Sequence, residues 1–380
     1  MELAGVPMQL SDGEFMGRAI RVAQVAKTRS APNPWVGCVV VSEGAIIGEG
    51  ATHAPGGPHA EIGALAAAGD RARGATAYLT LEPCSHFGRT PPCVDALIAA
   101  GVKRVVTGIE DPDPLVAGEG HARLRAAGLD VTEGVEAAAV RRDLASYVHQ
   151  RKTGRAFCLC KTAASLDGRT TTVDGSSQWI TGTEARADAH RLRAESQAVV
   201  VGPYTAITDR PSLTARDVDP LPLTQPVRVL IDATGRVAAE GPLFDTALAR
   251  TVVITTDAST SWRREEWGET GAAVEVVDTG PLGRGVDLLA MLQILVERFG
   301  VIQAMIEGGA RLHGALIAEG LVDRIVSYVA PVIIGNGSMP MFWFPEAETI
   351  SGVLRWSLVD VARFGEDVRL TFEPPTVAVD

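Results

Sequence analysis

The sequence predicts an α/β protein of two domains, and three observations carry that prediction. Segments with strand character alternate with segments of helical period through both halves of the chain. A polar, basic stretch, "RRDLASYVHQRKTGRA" (141–156), interrupts the alternation and places a boundary near 150–155, giving domains 1–153 and 154–380. The 380 residues also exceed what one average domain holds.

The elements of the first half follow in order. "SDGEFMGRAIRVAQVAK" opens with a capping box, Ser11 with Glu14, and sets Phe15, Ala19, Val22 and Ala26 on one helical face. "VGCVVVSEGAIIGEG" (36–50) reads as a β-hairpin turning at Ser42-Glu43-Gly44. "HAEIGALAAAG" is a helix closed by Gly69, "ATAYLTLEP" a strand, "CVDALIAAG" a helix closed by Gly101 and "KRVVTGIED" a strand. A helix at 119–127 and a short strand at 129–132 complete a mainly parallel sheet.

The second half repeats the pattern, with strands near 157–163, 197–201, 227–231, 251–256, 301–306 and 324–334. Its strongest helix is "DLLAMLQILVERFG" (287–300), stopped by Gly300. "SWRREEWGETGA" (261–272) reads as a solvated surface connection, and "IVSYVAPVIIG" as an apolar strand able to join a sheet between subunits. A homo-oligomer, dimer or tetramer, is expected on that ground.

Bulk composition excludes several classes of partner. A formal charge of −11 argues against nucleic acid or an anionic membrane as the main partner. It leaves room for a phosphorylated small molecule, since a few arginines in one pocket overrule net charge locally. The amino terminus lacks the basic start and apolar run of a secretory signal, and no apolar run reaches the roughly 18–20 residues of a membrane span. Five irregularly spaced cysteines do not make a disulfide framework, so a reducing cytoplasm is expected, where paired cysteines more often mean metal or catalysis.

One constellation stands out. "PHAE" (58–61) precedes "LEPCSHFGRTPPC" (81–93), so His59, Cys84 and Cys93 each fall at a strand-to-helix junction. An imidazole and two thiolates cancel the charge of a zinc ion, and three ligands leave the fourth position to water, as in a catalytic site. A helix start favours the thiolate at Cys93. Glu61 then has the place of a proton shuttle; His-x-Glu followed by Pro-Cys is the pattern of zinc nucleobase deaminases. Cys38, Cys158 and Cys160 lack such company and read as strand packing. The loop "SHFGRTPP" between the two ligand cysteines adds His86 and Arg89, suited to holding a polar or phosphorylated substrate.

At these motifs the chain resembles the bifunctional deaminase–reductase family of riboflavin biosynthesis. "PNPWVGCVVV", "PHAEIGAL", "TAYLTLEPCSHFGRTPPC" and "DPDPLVAGEG" are similar to that family's deaminase half, through most of residues 10–150. The resemblance implies a cytidine-deaminase-like α/β/α sandwich, zinc on His59, Cys84 and Cys93, proton shuttling by Glu61, and a pyrimidine contact from Asn33.

The second half carries less chemistry on its face. "IEGGARLHGALI" puts Glu307 at a strand end before Gly308-Gly309 and a helix start, a place where backbone N–H groups approach phosphate. "KTAASLDGRTTTVDGSSQWIT" is long and polar for a connection and reads as a binding loop. With "VGPYTAITDRPSLTAR", these segments resemble the reductase half of the same family, which implies a dihydrofolate-reductase-like α/β domain. By that resemblance NADPH meets Ala163, Trp179, Thr205, Asp209 and the run Gly309, Ala310, Arg311, Leu312, His313, Gly314 and Ala315. The sugar-phosphate substrate, a phosphorylated pyrimidine, meets Ser177, Arg193, Leu213, Arg216 and Glu307. Lys161, expected to leave its strand just before the loop, is placed to donate a proton to the opening ribose.

The resemblance therefore implies deamination of a diaminopyrimidinone phosphoribosylamine and then reduction of its ribosyl chain to ribityl. Two other readings stay open in the residues: a deaminase of another base joined to a silent reductase-like domain, and a regulatory module with a structural zinc. Glu61 argues against the last, since a structural metal has no use for a free carboxylate beside it.

Overall fold

A computed structural model describes residues 10–88, 90–114, 116–281 and 283–375. The chain divides into two compact units, Met1–Thr153 and Gly154–Asp380.

The first unit runs α1 (Asp12–Ala23), β1 (Gly37–Ser42), β2 (Ala45–Ala51), α2 (Ala60–Ala68), β3 (Thr76–Leu81), α3 (Cys93–Ala99), β4 (Arg104–Ile109), α4 (Glu119–Ala126), β5 (Asp130–Thr132), α5 (Ala137–Asp143) and α6 (Ala145–Thr153). The capping box forms as the sequence predicts: Glu14 N donates to Ser11 Oγ, and Ser11 N donates to Glu14 Oε2 at 2.8 Å. The hairpin turn places both Glu43 and Gly44 at positive φ, the geometry that matches the twist of its strands.

The sheet order is β2-β1-β3-β4-β5. Only β3–β4 and β4–β5 are parallel; β1 pairs antiparallel with both β2 and β3, so the sheet is mixed rather than mainly parallel. A hairpin needs only a tight turn, and its second strand takes the edge while the first lies against β3. Successive residues of β1 show the layers. A Cβ on Gly37 would lie 2.0 Å from Ala19 O of α1, whereas Cys38, its neighbour, feels the charge of Glu61 on α2. Side chains alternate across a strand, so α1 and α2 cover opposite faces, a three-layer sandwich.

The second unit runs β6 (Phe157–Ser165), α7 (Thr183–Glu195), β7 (Ala198–Val201), α8 (Pro203–Asp209), β8 (Val227–Ile231), β9 (Thr251–Thr255), α9 (Ser261–Glu269), β10 (Ala273–Val276), α10 (Leu288–Phe299), β11 (Gln303–Ile306), α11 (Ala310–Ala318), β12 (Arg324–Ala330), β13 (Ser357–Phe364) and β14 (Asp367–Glu373). Its sheet order is β10-β9-β8-β7-β11-β6-β12-β14-β13, parallel as far as β12 and antiparallel beyond. Alternate residues feed two cores: Ala198, Val200, Val229 and Val252 join one with α10, while Val199, Val201, Leu230 and Val253 join another.

Three expectations change in the second unit. Residues 261–269 form α9, whose Trp267 is fully buried and donates Nε1–H to Val237 O at 2.9 Å. One indole on the inner face anchors a helix whose other positions are mostly charged, a pattern too sparse to register as amphipathic. The strand of "IVSYVAPVIIG" lies inside its own sheet, between β6 and β14, and is not free to pair between subunits. Finally, β6 continues four residues past Lys161, which sits within the strand instead of at its end.

Candidate active sites

In the first unit, three junctions bring the predicted ligands together. His59 is the N-cap of α2, Cys93 begins α3 behind Pro92, and Cys84 follows the end of β3. Close packing of β2 on α2 sets the first: a Cβ on Gly50 would lie 2.1 Å from Ala60 O. His59 Nδ1 stands 3.3 Å from Cys93 Sγ and 3.7 Å from Cys84 Sγ, and Cys93 N donates to Cys84 Sγ at 3.4 Å. All three ligand atoms lie within 4.8 Å of one another. His59 Nε2 is 3.4 Å from Thr90 Oγ1, so the ring presents Nδ1 to the thiols. Thr90 was not a candidate in the sequence, where one threonine before Pro-Pro-Cys carries no mark of its own.

The donor set fits zinc. Hydrogen bonds from Cys93 and then His59 lower the Cys84 thiol and favour its thiolate form. Cys93 is pushed up, first by its hydrogen bond to Cys84, so the two thiols are shifted in opposite directions. The same contact with Cys84 raises His59. A dication removes that imbalance by taking both sulfurs as thiolates. Glu61, only 4% exposed, is raised to about 7 by burial and then by the Cys84 charge. A carboxyl group poised there can take and give a proton near neutrality.

The surroundings explain why the junctions hold still. Glu82 is buried and spends both oxygens on backbone: Oε2 accepts from Asp111 N at 3.1 Å and Gly118 N at 3.0 Å, Oε1 from His121 N at 3.1 Å. Arg123 on α4 donates to Ser85 O at 2.5 Å, immediately after Cys84. Neither residue was singled out in the sequence. Asn33 is half-buried and fixed through its backbone, accepting from Ser30 Oγ at 3.1 Å. His86 is exposed, away from the three ligands' hydrogen bonds, and Arg89 lies outside the described residues.

In the second unit the predicted residues gather near the carboxyl ends of β7 and β11, with β6 alongside, the usual binding edge of a parallel sheet. Glu307 follows β11 directly. Because Ile306 is level with Cys160, Glu307 comes level with Lys161. Arg193 reaches across from α7, pairing Nε with Oε1 and Nη2 with Oε2 at 2.7 Å, while its Nη1 donates to Thr214 O at 3.3 Å. Burial pushes Glu307 up, but the charges of Arg193 and Lys161 outweigh it and hold the group at about 2. Burial lowers Lys161, the Glu307 charge opposing it. Its ammonium lies 5.9 Å from the Tyr328 ring centre.

The cofactor candidates divide into two sets. Gly309 is the N-cap of α11, and a Cβ there would meet nothing closer than Thr205 Oγ1 at 4.0 Å, leaving open backbone at a helix start. Ala163 is half-buried on β6 and Asp209 ends α8, exposed. Trp179 is 66% exposed and stacks on Arg186 at 4.6 Å, so it is no core residue. Arg311, exposed, lies over Trp343, and Leu312 and Ala315 pack against the core. Ala310, His313 and Gly314 are buried; His313 Nε2 is 3.2 Å from Ile306 O. Of the substrate candidates, Ser177 is half-buried in the loop after β6, Leu213 is buried at positive φ, and Arg216 is exposed with Asp217 at 3.8 Å. Asp167 moors that loop, accepting from Ile334 N at 3.0 Å and Gly335 N at 2.7 Å.

Comparison with known proteins agrees with this division. Residues 10–109 match the cytidine and deoxycytidylate deaminase zinc-binding region, and residues 156–370 match the RibD C-terminal domain. The Escherichia coli K12 riboflavin biosynthesis protein RibD is 39% identical over 371 residues, covering 95% of this chain and 99% of that one. Its Chlamydia trachomatis counterpart is 43% identical over 328 residues, 86% of each chain. Among solved structures, a form of Acinetobacter baumannii RibD superposes with a TM-score of 0.86 at 38% identity, covering 96% of this chain and 98% of that one. A Thermotoga maritima diaminohydroxyphosphoribosylaminopyrimidine deaminase/5-amino-6-(5-phosphoribosylamino)uracil reductase does so at 0.83 and 31%, with the same coverage.

Proposed function

The chain belongs to the RibD family of bifunctional riboflavin biosynthesis deaminase–reductases, and from that premise we propose which residues perform each reaction. Met1–Thr153 hydrolyses the ring amine of a diaminopyrimidinone bearing a phosphoribosylamino group, releasing ammonia. Gly154–Asp380 then reduces the resulting uracil's ribosyl chain to ribityl.

The observation that carries the reading is the buried Glu61 carboxyl beside three converging zinc donors. His59, Cys84 and Cys93 would hold zinc, which when bound supplies the Lewis acidity that makes water a nucleophile at neutral pH. Glu61 accepts the proton that water gives up and delivers it to the amine as the carbon–nitrogen bond breaks. Thr90 keeps the His59 ring oriented, and Asn33, His86 and Arg89 contact the substrate.

In the second unit NADPH, when bound, would supply the hydride that reduces the opened, imine-like ribose at C1′. The open backbone at Gly309, with Thr205 beside it, receives phosphate at the start of α11. Ala163, Trp179 and Asp209 complete the cofactor contacts. Lys161 gives a proton to the departing ribose oxygen, and Glu307 keeps that ammonium charged. Arg193 has its donors committed to Glu307 and Thr214 O, so it sets the carboxylate's position, and Arg216 takes the phosphate with Ser177 and Leu213 nearby.

A cytoplasmic setting is supported by five cysteines that are all free. No helix among the described residues is long and apolar enough to cross a membrane. A homo-oligomer is supported by edge strand β13, which exposes Leu358 and Val361.

The test is NADPH oxidation by the zinc-loaded protein given the diaminopyrimidinone, not the uracil. Steady oxidation is expected, abolished in Glu61→Ala and restored when the uracil is added. Ammonia release without oxidation would overturn the reductase assignment, and no reaction of either kind would overturn the substrate.

A further inference from the structure

A second group of metal donors lies in the first unit, apart from the three zinc donors. Glu110 follows β4, Glu133 follows β5, and His121 lies on α4 between them; one donor atom from each falls within 4.8 Å of the others. The two carboxylates are exposed, which alone would make them an unremarked acidic pair on a surface. His121 is different. It is 1% exposed, and its Nδ1 is a buried atom with no hydrogen-bond partner among the described residues.

The polar groups that face the ring nitrogens are Thr107, Glu133 and Glu82. Thr107 Oγ1 takes the Nε2 side at 2.9 Å. Nδ1 then faces Glu133 Oε2 at 3.4 Å and Glu82 Oε1 at 3.7 Å, neither in hydrogen-bonding geometry. Glu82 cannot approach, because its oxygens are held by three backbone N–H groups. Glu133 divides its work: Oε1 pairs with Arg125, and Oε2 is the oxygen turned to the imidazole. A buried nitrogen left without a partner destabilises the fold, and a cation between it and the carboxylates removes that penalty.

We propose that Glu110, His121 and Glu133 form a second divalent-cation site, for a borderline first-row ion such as Zn2+. One imidazole nitrogen and two carboxylate oxygens suit that class better than Mg2+ or Ca2+, which prefer oxygen alone. Two carboxylates and a neutral ring balance the ion's charge, with remaining positions open to water. Bound there, the ion ties the ends of β4 and β5 to α4, the helix whose Arg123 holds Ser85. The site does not depend on either reaction assigned above.

The experiment titrates Zn2+ alone into full-length protein that already carries its thiolate-bound zinc, by calorimetry with metal analysis after gel filtration. Wild type takes up a second equivalent per chain. Glu110→Gln/Glu133→Gln, which changes only exposed side chains, binds it on the order of tenfold or more weakly. His121→Gln, provided its circular dichroism is unchanged, does the same. Uptake that ends at one equivalent in wild type would show that His121 merely pairs with Glu133, and would overturn the site. So would a second equivalent bound equally well by the double variant.

Discussion

Arg193 and Glu307 face each other in a two-bond ion pair, Nη2 to Oε2 at 2.7 Å, with both side chains at most 16% exposed. The pair is costly to separate, since either charge left alone is buried without its partner. Its contribution also depends on pH in a definite direction. Glu307 titrates at about 2 in the folded chain against an ordinary 4.5. The stabilisation, about 3 kcal/mol by linkage, is therefore complete above pH 4.5 and lost as pH falls towards 2. Glu307→Gln should flatten that part of the acid unfolding curve, measured by urea melts between pH 6 and pH 2. An unchanged pH dependence would show that the carboxylate is not held as described.

Lys161 should impose an alkaline limit on reduction. The ammonium is the acid form, and burial lowers its pKa below 10.5, so hydride transfer coupled to its proton declines as pH rises through that lowered value. In Lys161→Arg the limb should vanish, with a slower but flatter profile. The stability sign runs the other way: a lysine whose folded pKa lies below its unfolded one weakens the fold while charged. Lys161→Met should then melt higher at pH 7 while losing reduction. Single-turnover NADPH oxidation against pH, with a thermal melt of each variant, checks both statements.

Glu61 and Cys84 should separate chemistry from metal retention. Glu61→Gln keeps the three donors and should retain one tightly held zinc, while deamination falls on the order of 10²–10⁴-fold. Cys84→Ser should lose the zinc as well. Both should still reduce the uracil, because their changes lie in the other unit. Zinc loss in Glu61→Gln would mean that the carboxylate is a ligand.

The zinc donors were legible because each is a rare residue type at a strand-to-helix junction, where sequence marks the junction with proline. What held them was not. Glu82 acts through three backbone N–H groups contributed by residues 111, 118 and 121, a relation that local sequence does not encode. Trp267 is hidden for a related reason, since one buried indole among mostly charged residues looks solvated until the sheet it packs on is known. In the second unit Glu307 was visible at a strand end. Arg193 lies 114 residues earlier, and only the register of β6, β7 and β11 explains why the two meet. Strands β13 and β14 form an antiparallel edge on an otherwise parallel pattern, so alternation with helices could not announce them.

Two glycines of α11 should give opposite signatures, and the contrast tests where the cofactor binds. Gly314 lies against the chain at Trp343, where an added Cβ would sit 1.9 Å from a backbone oxygen. Backbone cannot swing aside as a side chain can, so Gly314→Ala should shift the helix or the 343 segment and cost roughly 1–3 kcal/mol. Gly309 has φ −73°, which alanine adopts freely, and open space around it except for Thr205 Oγ1 at 4.0 Å. Gly309→Ala should therefore melt like wild type. Yet its methyl group projects from the backbone proposed to meet phosphate, and NADPH affinity should fall by on the order of tenfold, about 1.4 kcal/mol. Thermal melts and NADPH titration by fluorescence read the two effects separately. If Gly309→Ala bound NADPH normally, the cofactor phosphate would have to lie elsewhere. Weaker binding together with a lowered melting temperature would trace the effect to packing, as at Gly314.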